Sequence, residues 1–510
     1  MLSTSALVEI AKLTPLEKAQ LAKAEGNKCF KNRDYKEALK HYSEAIELCP
    51  KDATMDLATF YQNRAATHEY LGDNKAARDD CTTALELNPK YVKALQRRAK
   101  VCETMEDLQQ ALEDVTAVCI LECFSNVSAL QAADRILKQL GKMRAKETWE
   151  KKDCVFPSKC FIRTLLASFK DDPVMQDVLQ QGKANGYPEE PLIGMAKAKE
   201  ALRNEDYELV LDACEEELAG DVASPHHAEA LCLRGTFHYL RSDLSKAVSD
   251  YSAVVSMEDA PVKVRANAII RRALVKLQLD DFDGCKDDFE EAIRINPSSA
   301  DAHYQRGQVF FLLEKYEEAL EDFKKAVALA EDDFPVAEAQ QLYTEYKISS
   351  NADKNQVNSI IKRFQEVEER YPKCGELMAL LAQIYVEQND LNKANACFDR
   401  AIQADPENAT LLVHKGMLQL QTRMDIVKAT EYLKQAIEVD NKCGYAYEML
   451  GTLEVQKGNL PYSVELFNEA IRLAKTEDDM AHLFSLKEAA IAQKHLSEKL
   501  GVTLPSFPGM

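Results

Sequence analysis

The sequence predicts an all-α protein built as a solenoid of about eleven helical hairpins in two domains. A period near 34 residues runs through most of the 510-residue chain, with small residues, aromatic residues and prolines at recurring positions. Glycine is scarce, at 17 residues, against about 7% in average usage, which disfavours turn-rich β structure. Hydrophobic residues make up 46% of the chain, which is enough for a large core.

The first three hairpins show the pattern most clearly. Each has a small residue at the eighth position of its first helix and small, apolar or aromatic residues in its second helix: Gly26, Ala38, Tyr42, Ala45 and Pro50; Ala65, Ala77, Cys81, Ala84 and Pro89; Ala99, Ala111, Val115 and Val118. Small residues let paired helices approach closely, and proline ends the second helix. The combination is typical of tetratricopeptide repeats and predicts a tetratricopeptide-repeat superhelix, an α-solenoid.

The pattern weakens after Val118 and returns in the second half of the chain. The later units keep the same spacing: Gly235, Ala247 and Tyr251; Ala273, Phe289, Ala292 and Pro297; Gly307, Ala319, Phe323 and Ala326; Ala382, Tyr385, Ala394, Phe398, Ala401 and Pro406; Gly416, Ala429, Tyr432 and Ala436; Gly451, Phe467 and Ala470. Weaker units lie around Tyr207 and Phe364.

The interruption between the two groups of repeats predicts six segments. They are an N-terminal tail at 1–17, a three-repeat domain at 18–125, irregular helices and a linker at 126–190, a repeat array at 191–478, a capping helix at 479–500 and a tail at 501–510. A capping helix is expected because the last hairpin of a solenoid would otherwise expose an apolar face.

Composition excludes several classes of function. The net charge of −20 disfavours nucleic acid or an anionic membrane surface as the main partner. The 14 cysteines lack paired metal-ligand spacing, so we expect small buried hydrophobes in a reducing compartment. The histidines do not cluster with cysteines or carboxylates, and no catalytic or nucleotide-binding motif occurs. We therefore expect neither an enzyme nor a protein that holds a cofactor or metal.

The chain also lacks the sequence features of membrane insertion and secretion. No apolar run approaches the roughly 18 residues that span a bilayer. The first 20 residues have a short apolar patch but no basic region and no cleavage pattern. By itself, the chain is expected to be soluble.

Five polar residues give the strongest functional signal. They lie in the first helices of the first three hairpins, at positions that line the concave wall of a repeat solenoid: Lys23, Asn27, Asn63, Lys93 and Arg97. Lysine and arginine donate charge-assisted hydrogen bonds, and asparagine donates neutral ones. A C-terminal aspartate presents two carboxylates on one residue. The five residues therefore predict a dicarboxylate clamp for peptides that end in an acidic residue.

The array at 191–478 is the candidate site for a second ligand, a client protein. Its predicted inward-facing residues mix apolar, amide and acidic groups: Tyr304, Gln308, Glu376, Gln383, His414, Met417, Tyr445 and Glu448. Acidic groups on this wall would favour clients with basic residues beside hydrophobic helices.

The clamp residues carry a family resemblance. The segments KAEGNKCF, YQNRAA and NPKYVKALQRRAK resemble the clamp repeats of chaperone-binding proteins. The resemblance sharpens in LEDVTAVCILE (112–122), ATLLVHKGMLQLQ (409–421) and IEVDNKCGYAYEMLGTLEVQKGN (437–459). Together these segments look like the 70-kilodalton receptors of the mitochondrial outer-membrane translocase, and the resemblance covers nearly the whole chain from about residue 18.

The resemblance implies a location, partners and a function. Such receptors lie at the cytosolic face of the mitochondrial outer membrane and act with other translocase subunits. Their clamp docks the acidic C-termini of 70- and 90-kilodalton heat-shock chaperones, and their C-terminal domain accepts hydrophobic precursors such as carriers. All five clamp residues of the family are present here. Family members carry an N-terminal transmembrane anchor, whereas this sequence shows none.

The alternative is a cytosolic co-chaperone adaptor without a mitochondrial anchor. Adaptors that bridge two chaperones usually repeat the clamp. The equivalent positions in later repeats hold Cys232 and Thr236, and Val413 and Met417, none of which suits a carboxylate. One clamp followed by a long clamp-free array favours a receptor.

Overall fold

The computed structural model describes residues 13–152, 155–181, 192–220, 224–331, 333–349 and 354–501. In these residues the chain forms 26 α-helices and no strand. The chain divides into two compact units. Unit 1 combines Met1–Lys152 with Leu450–Met510, and unit 2 is Asp153–Met449. No helix in the described part of the chain is long and apolar enough to cross a membrane.

Unit 1 contains the first seven described helices of the chain and the last two. They are α1 (Pro15–Lys31), α2 (Tyr35–Leu48), α3 (Thr54–Leu71), α4 (Asn74–Leu87), α5 (Val92–Thr104), α6 (Leu108–Leu121), α7 (Val127–Trp149), α25 (Leu460–Leu473) and α26 (Glu477–Leu500). Helix α24 (Gly444–Gln456) contains the boundary between the units.

Unit 2 contains the helices between these two groups. They are α8 (Lys159–Ala167), α9 (Pro173–Gln181), α10 (Gly194–Asn204), α11 (Glu208–Leu218), α12 (His227–Leu240), α13 (Leu244–Ser256), α14 (Val262–Gln278), α15 (Phe282–Ile295), α16 (Ala300–Leu312), α17 (Tyr316–Leu329), α18 (Pro335–Ser349), α19 (Lys354–Arg370), α20 (Gly375–Glu387), α21 (Leu391–Ala404), α22 (Ala409–Arg423) and α23 (Ile426–Val439).

Consecutive helices pack as hairpins, in agreement with the predicted repeats. The described residues form eleven of them: α1/α2, α3/α4, α5/α6, α10/α11, α12/α13, α14/α15, α16/α17, α18/α19, α20/α21, α22/α23 and α24/α25. In four hairpins a glycine of the first helix lies under an aromatic ring sixteen residues later. A Cβ atom at Gly26 would lie 2.8 Å from the ring of Tyr42, and one at Gly451 would lie 2.8 Å from Phe467. The predicted fold class is confirmed.

A repeated ion pair also joins the two helices of a hairpin. In five hairpins an arginine next to the eighth position donates two hydrogen bonds to an aspartate sixteen residues later, at 2.6–2.9 Å: Arg64 and Asp80, Arg98 and Asp114, Arg234 and Asp250, Arg272 and Asp288, Arg306 and Asp322. All five aspartates are buried. Bidentate geometry orients the arginine fork, so the pairs fix how each hairpin closes.

In seven of the described hairpins the turn is short and follows one pattern. A residue with left-handed backbone precedes an aspartate whose side chain caps the second helix: Arg33–Asp34, Gly72–Asp73, Glu106–Asp107, Ser242–Asp243, Asp280–Asp281, Asn389–Asp390 and Met424–Asp425. The aspartate oxygen accepts from a backbone N–H that has no partner within the helix. Because only one of these turns uses glycine, the low glycine content is compatible with many hairpins.

The structure divides the chain differently from the sequence-based scheme. Helix α7, expected among irregular helices, packs along α26 in unit 1, where Ser485 Oγ donates to the carbonyl of Leu137 at 3.0 Å. Residues 450–500 therefore belong with the clamp repeats and not with the array. Helices α8 and α9, expected near a linker, pack into unit 2 through Ile162 and Val178. The rest of the expected linker, 182–190, and most of both tails lie outside the described residues.

The described cysteines are all free, and most are buried. Burial raises the pKa of the Cys81 and Cys214 thiols to about 12 and that of Cys102 to about 11. These thiols are protonated at neutral pH and act as small apolar side chains.

Candidate functional site

The five clamp residues lie on α1, α3 and α5, the first helices of the three hairpins of unit 1. Side-chain hydrogen bonds join these helices to their neighbours. Gln20 of α1 donates to Asp56 of α3 at 3.3 Å, and the Tyr91 hydroxyl donates to Gln62 of α3 at 3.4 Å. The sequence-predicted clamp positions therefore fall on adjacent helices.

The two asparagines are in direct contact. The Asn27 Oδ1 atom accepts hydrogen bonds from the Tyr42 hydroxyl at 2.7 Å and from Asn63 Nδ2 at 3.4 Å. Burial raises the pKa of Tyr42 to about 12, so its hydroxyl stays protonated and remains a donor. These bonds fix the Asn27 amide with its oxygen inward. Its N–H groups are then the atoms available to a carboxylate.

The lysines of the clamp differ in their surroundings. The Lys23 ammonium lies 5.8 Å from the ring centroid of Phe60, one helical turn before Asn63 on α3. Phe60 is fully buried, so its ring gives Lys23 a fixed apolar neighbour. Lys93 is exposed on α5, one turn before Arg97. A lysine in this setting can reach a ligand carboxylate as a flexible point charge.

Arg97 already has an acidic partner, which sequence reasoning did not identify. Its Nη1 atom donates to Glu69 of α3, and Lys100 pairs with the other Glu69 oxygen at 2.8 Å. The Nε atom of Arg97 is buried and lacks a hydrogen-bond partner. Glu69 is not at a repeat-consensus position, so nothing in the repeat pattern pointed to it. A ligand carboxylate at Arg97 would share the guanidinium with Glu69.

The structure therefore brings the predicted residues together in two groups. Lys23, Asn27 and Asn63 form the first group, across α1 and α3, and Lys93 and Arg97 form the second, on α5. Within the described residues no hydrogen bond or ion pair joins the groups. A peptide with two carboxylates has the donors to satisfy both groups at once.

The residues predicted to contact a client lie in unit 2 in different settings. Tyr304 is 1% exposed, because Phe323 and Phe334 pack on its ring with centroids 5.9 and 4.8 Å away. It is a core residue and not an exposed contact. Gln308 donates to the Tyr304 hydroxyl at 2.6 Å. Burial raises the pKa of Tyr304 well above its usual value, and the nearby Glu376 carboxyl raises it further.

Two of the remaining candidates, His414 and Tyr445, contact each other through their rings. His414 lies between the rings of Phe398 and Tyr445, with centroid distances of 6.2 and 6.0 Å. Partial desolvation lowers the pKa of His414, so the imidazole is neutral at pH 7. His414, Tyr445 and Gln383 are exposed. Met417, Glu448 and Glu376 are half-buried, and Glu376 accepts from Gln340 at 3.4 Å. Burial raises the pKa of Glu376.

Comparison with known proteins decides the family. Tetratricopeptide-repeat family models match residues 19–52, 58–91, 266–299, 300–333 and 352–416. The chain is 42% identical over 506 residues to the mouse mitochondrial import receptor subunit TOM70, covering 97% of this chain and 82% of the relative. This chain belongs to the TOM70 family. The human member matches equally, and the yeast member is 25% identical over 95% of this chain.

The solved structures agree with this family assignment. The crystal structure of yeast Tom70 aligns with a TM-score of 0.54 and 24% identity, covering 96% of this chain and 99% of that one, which shows the shared fold. Membership of the TOM70 family confirms the predicted function as a mitochondrial import receptor and the predicted mitochondrial location. The adaptor alternative is not supported. A shorter match, 30% identical over 160 residues, is to a wheat protein named Hsp70-Hsp90 organizing protein.

Proposed function

We propose that Lys23, Asn27, Asn63, Lys93 and Arg97 bind the acidic C-terminal tails of the 70- and 90-kilodalton heat-shock chaperones. The observation that carries the proposal is the fixed amide pair of Asn27 and Asn63, with cations on the same and the neighbouring helix. A terminal aspartate would place one carboxylate at the amides and Lys23. Its other carboxylate would lie at Lys93 and Arg97.

The energetics suit a reversible contact. Each charge-assisted hydrogen bond contributes about 1.5–3 kcal/mol. Ordering a flexible tail opposes this gain, and a few such bonds leave an affinity in the micromolar range. The similarity to the wheat Hsp70-Hsp90 organizing protein supports a chaperone as the partner.

We further propose that unit 2 accepts hydrophobic mitochondrial precursors such as carriers, and that the chain works beside other translocase subunits. Its candidate contacts are Gln308, Glu376, Gln383, His414, Met417, Tyr445 and Glu448, with Tyr304 as a buried support. A precursor still held by a chaperone docked on unit 1 is tethered to the same molecule as unit 2. Tethering raises its local concentration toward the millimolar range where the geometry allows.

A peptide titration tests the clamp. A labelled chaperone-tail peptide that ends in aspartate is titrated against the full chain, beside the same peptide with an amidated C-terminus. We expect the free carboxylate to bind at least tenfold more tightly. Lys93→Ala should lower the affinity for the peptide with a free C-terminus and leave the affinity for the amidated peptide little changed. Lys90→Ala is the matched control, because Lys90 is exposed in the same basic run but lies outside the clamp. Equal affinities for the two peptides would refute the proposal.

A further inference from the structure

Helix α8 of unit 2 is a basic amphipathic helix. From residue 156 to residue 172 the segment carries Lys159, Arg163 and Lys170, followed directly by Asp171 and Asp172. Its apolar residues Ile162 and Leu166 are one turn apart and 1% and 2% exposed, and Thr164 on the other face is exposed. The helix therefore buries one apolar face and keeps cations at its edges.

This helix covers the first helices of two later hairpins. Ile162 and Leu166 share a buried cluster with Leu233 and Phe237 of α12. Phe169, just past the end of α8, is 3% exposed and packs in a second cluster that includes Ile270 of α14. Leu233 and Ile270 occupy the sixth and fifth positions of their repeats, counted with Gly235 and Ala273 at the eighth. These positions belong to the wall on which the clamp residues lie in unit 1.

Side chains of the same wall recognise the main chain that follows α8. The Asp301 carboxylate, at the second position of α16, accepts from the backbone N–H groups of Lys170 and Asp171, both at 2.8 Å. Gln305, at the sixth position, donates to the carbonyl of Ser168 at 3.1 Å. Hydrogen bonds to the main chain give affinity for a peptide segment, and contacts to its side chains give specificity.

An acidic side chain of the segment is bound in the same manner. Arg271, at the sixth position of α14, donates to Asp172 at 2.7 Å and is 4% exposed. Asn267, at the second position, accepts from Arg271 Nε at 2.6 Å. Lys93 and Arg97 occupy these same two positions in unit 1. At these two repeat positions unit 2 binds a carboxylate of its own chain. At the same positions unit 1 offers donors to a ligand.

The cation at the centre of α8 is held by acidic groups from distant parts of unit 2. Arg163 pairs with Glu205, in the turn after α10, at 3.4 Å and with Glu407, before α22, at 2.7 Å. The two glutamates are about 200 residues apart in sequence and lie beside one guanidinium. Helix α8 therefore makes apolar contacts with the wall and ion pairs with two turns of unit 2 that lie outside the first-helix positions.

We propose that this wall of unit 2 is a binding site for amphipathic helices that carry basic residues and are followed by an aspartate, and that residues 156–172 are its built-in occupant. An external helix of the same chemistry binds by displacing α8. The proposal deepens the client-binding part of the proposed function and rests on it. Because the occupant is tethered to its site, its effective concentration is near millimolar, and only a client presented at high local concentration competes well.

A peptide of this chain tests the proposal without a precursor. The probe is a labelled synthetic peptide of residues 155–172 with Cys160→Ser, titrated against full chains. The double variant Ile162→Asp, Leu166→Asp removes the apolar anchor of α8, and Arg163→Glu removes its ion pairs. Thr164→Asp, Ala167→Asp is the matched control, since it adds the same two charges on the exposed face. We expect the double variant to bind the probe at least tenfold more tightly than wild type, Arg163→Glu at least threefold more tightly, and the control unchanged.

Circular dichroism and tail-peptide binding show whether each variant is folded. A folded double variant without a gain in probe affinity would overturn the proposal. Loss of helical signal in both the double variant and Arg163→Glu would also overturn it, because the segment would then be an ordinary part of the core. Precursor capture is measured in parallel. If a variant gains affinity for the probe but no variant captures a precursor, unit 2 is not the client site. The proposal that residues 156–172 occupy a binding site of their own chain would still stand.

Discussion

Glu69 is expected to compete with the chaperone tail for Arg97, so Glu69→Gln should strengthen tail binding. Glu69 and Arg97 are largely buried, with side-chain exposures of 17% and 21%, so their ion pair is only partly screened. A tail carboxylate in the wild-type chain exchanges with Glu69 at the guanidinium, and the exchange contributes little net free energy. In the variant the tail adds a charge-assisted hydrogen bond that the free protein lacks. Such a bond contributes about 1.5–3 kcal/mol.

Partial exposure and the ordering of the tail reduce this gain to about 1 kcal/mol, which corresponds to about fivefold in affinity. Isothermal titration with a free-carboxylate tail peptide measures it, and the amidated peptide is the control. Glu103→Gln is a matched variant, because Glu103 pairs with the exposed Arg135 outside the clamp. Unchanged or weaker tail binding in Glu69→Gln would refute competition and would mean that Glu69 positions Arg97 for the ligand.

Three further predictions concern the clamp and the fold. Tyr42→Phe removes the donor that fixes Asn27 and should weaken tail binding about fivefold, at a cost of about 1 kcal/mol in a single hydrogen bond; tail titration checks it, and full retention of affinity would contradict it. Arg306→Ala leaves the buried Asp322 carboxylate without its bidentate partner and should reduce the free energy of unfolding by about 3 kcal/mol in urea denaturation, whereas the exposed Arg294→Ala should change it little. Burial, with the neighbouring Asp171 charge, raises the pKa of Asp301 to about 7. Protons are then bound more tightly in the folded state, so this group should lower stability as pH rises from about 4 to about 7; Asp301→Asn should flatten that part of the melting-temperature profile, and an unchanged slope would contradict the assignment.

The repeats were predictable because each depends on the size of a side chain. A glycine under an aromatic ring, as at Gly26 and Tyr42, leaves a spacing of sixteen residues that the sequence shows directly. The arginine–aspartate pairs have the same spacing, as in Arg64 and Asp80, so the sequence contains a signal for them as well. Local periodicity cannot show that α7 pairs with α26, because their contact joins residues more than 300 apart.

The candidate sites were predictable to different degrees. Repeat position led to Asn27 and Asn63, which the structure brings into contact, but it could not reveal Glu69, whose place depends on how α3 and α5 pack. Tyr304 shows the limit of the same reasoning in unit 2. It occupies an inward position of its helix, yet Phe334 covers its ring, and no repeat rule sets the exposure of a single position. The helix seated on α12 and α14 likewise follows from tertiary packing alone.

We propose that this TOM70-family chain couples chaperone docking to precursor import through its clamp. The most direct measurement is import of a carrier precursor into mitochondria that lack their own TOM70 and carry this chain at their outer membrane. The wild-type chain should restore import, and Arg97→Ala should reduce it severalfold while Lys90→Ala leaves it unchanged. Import that is equally efficient with Arg97→Ala would contradict the claim.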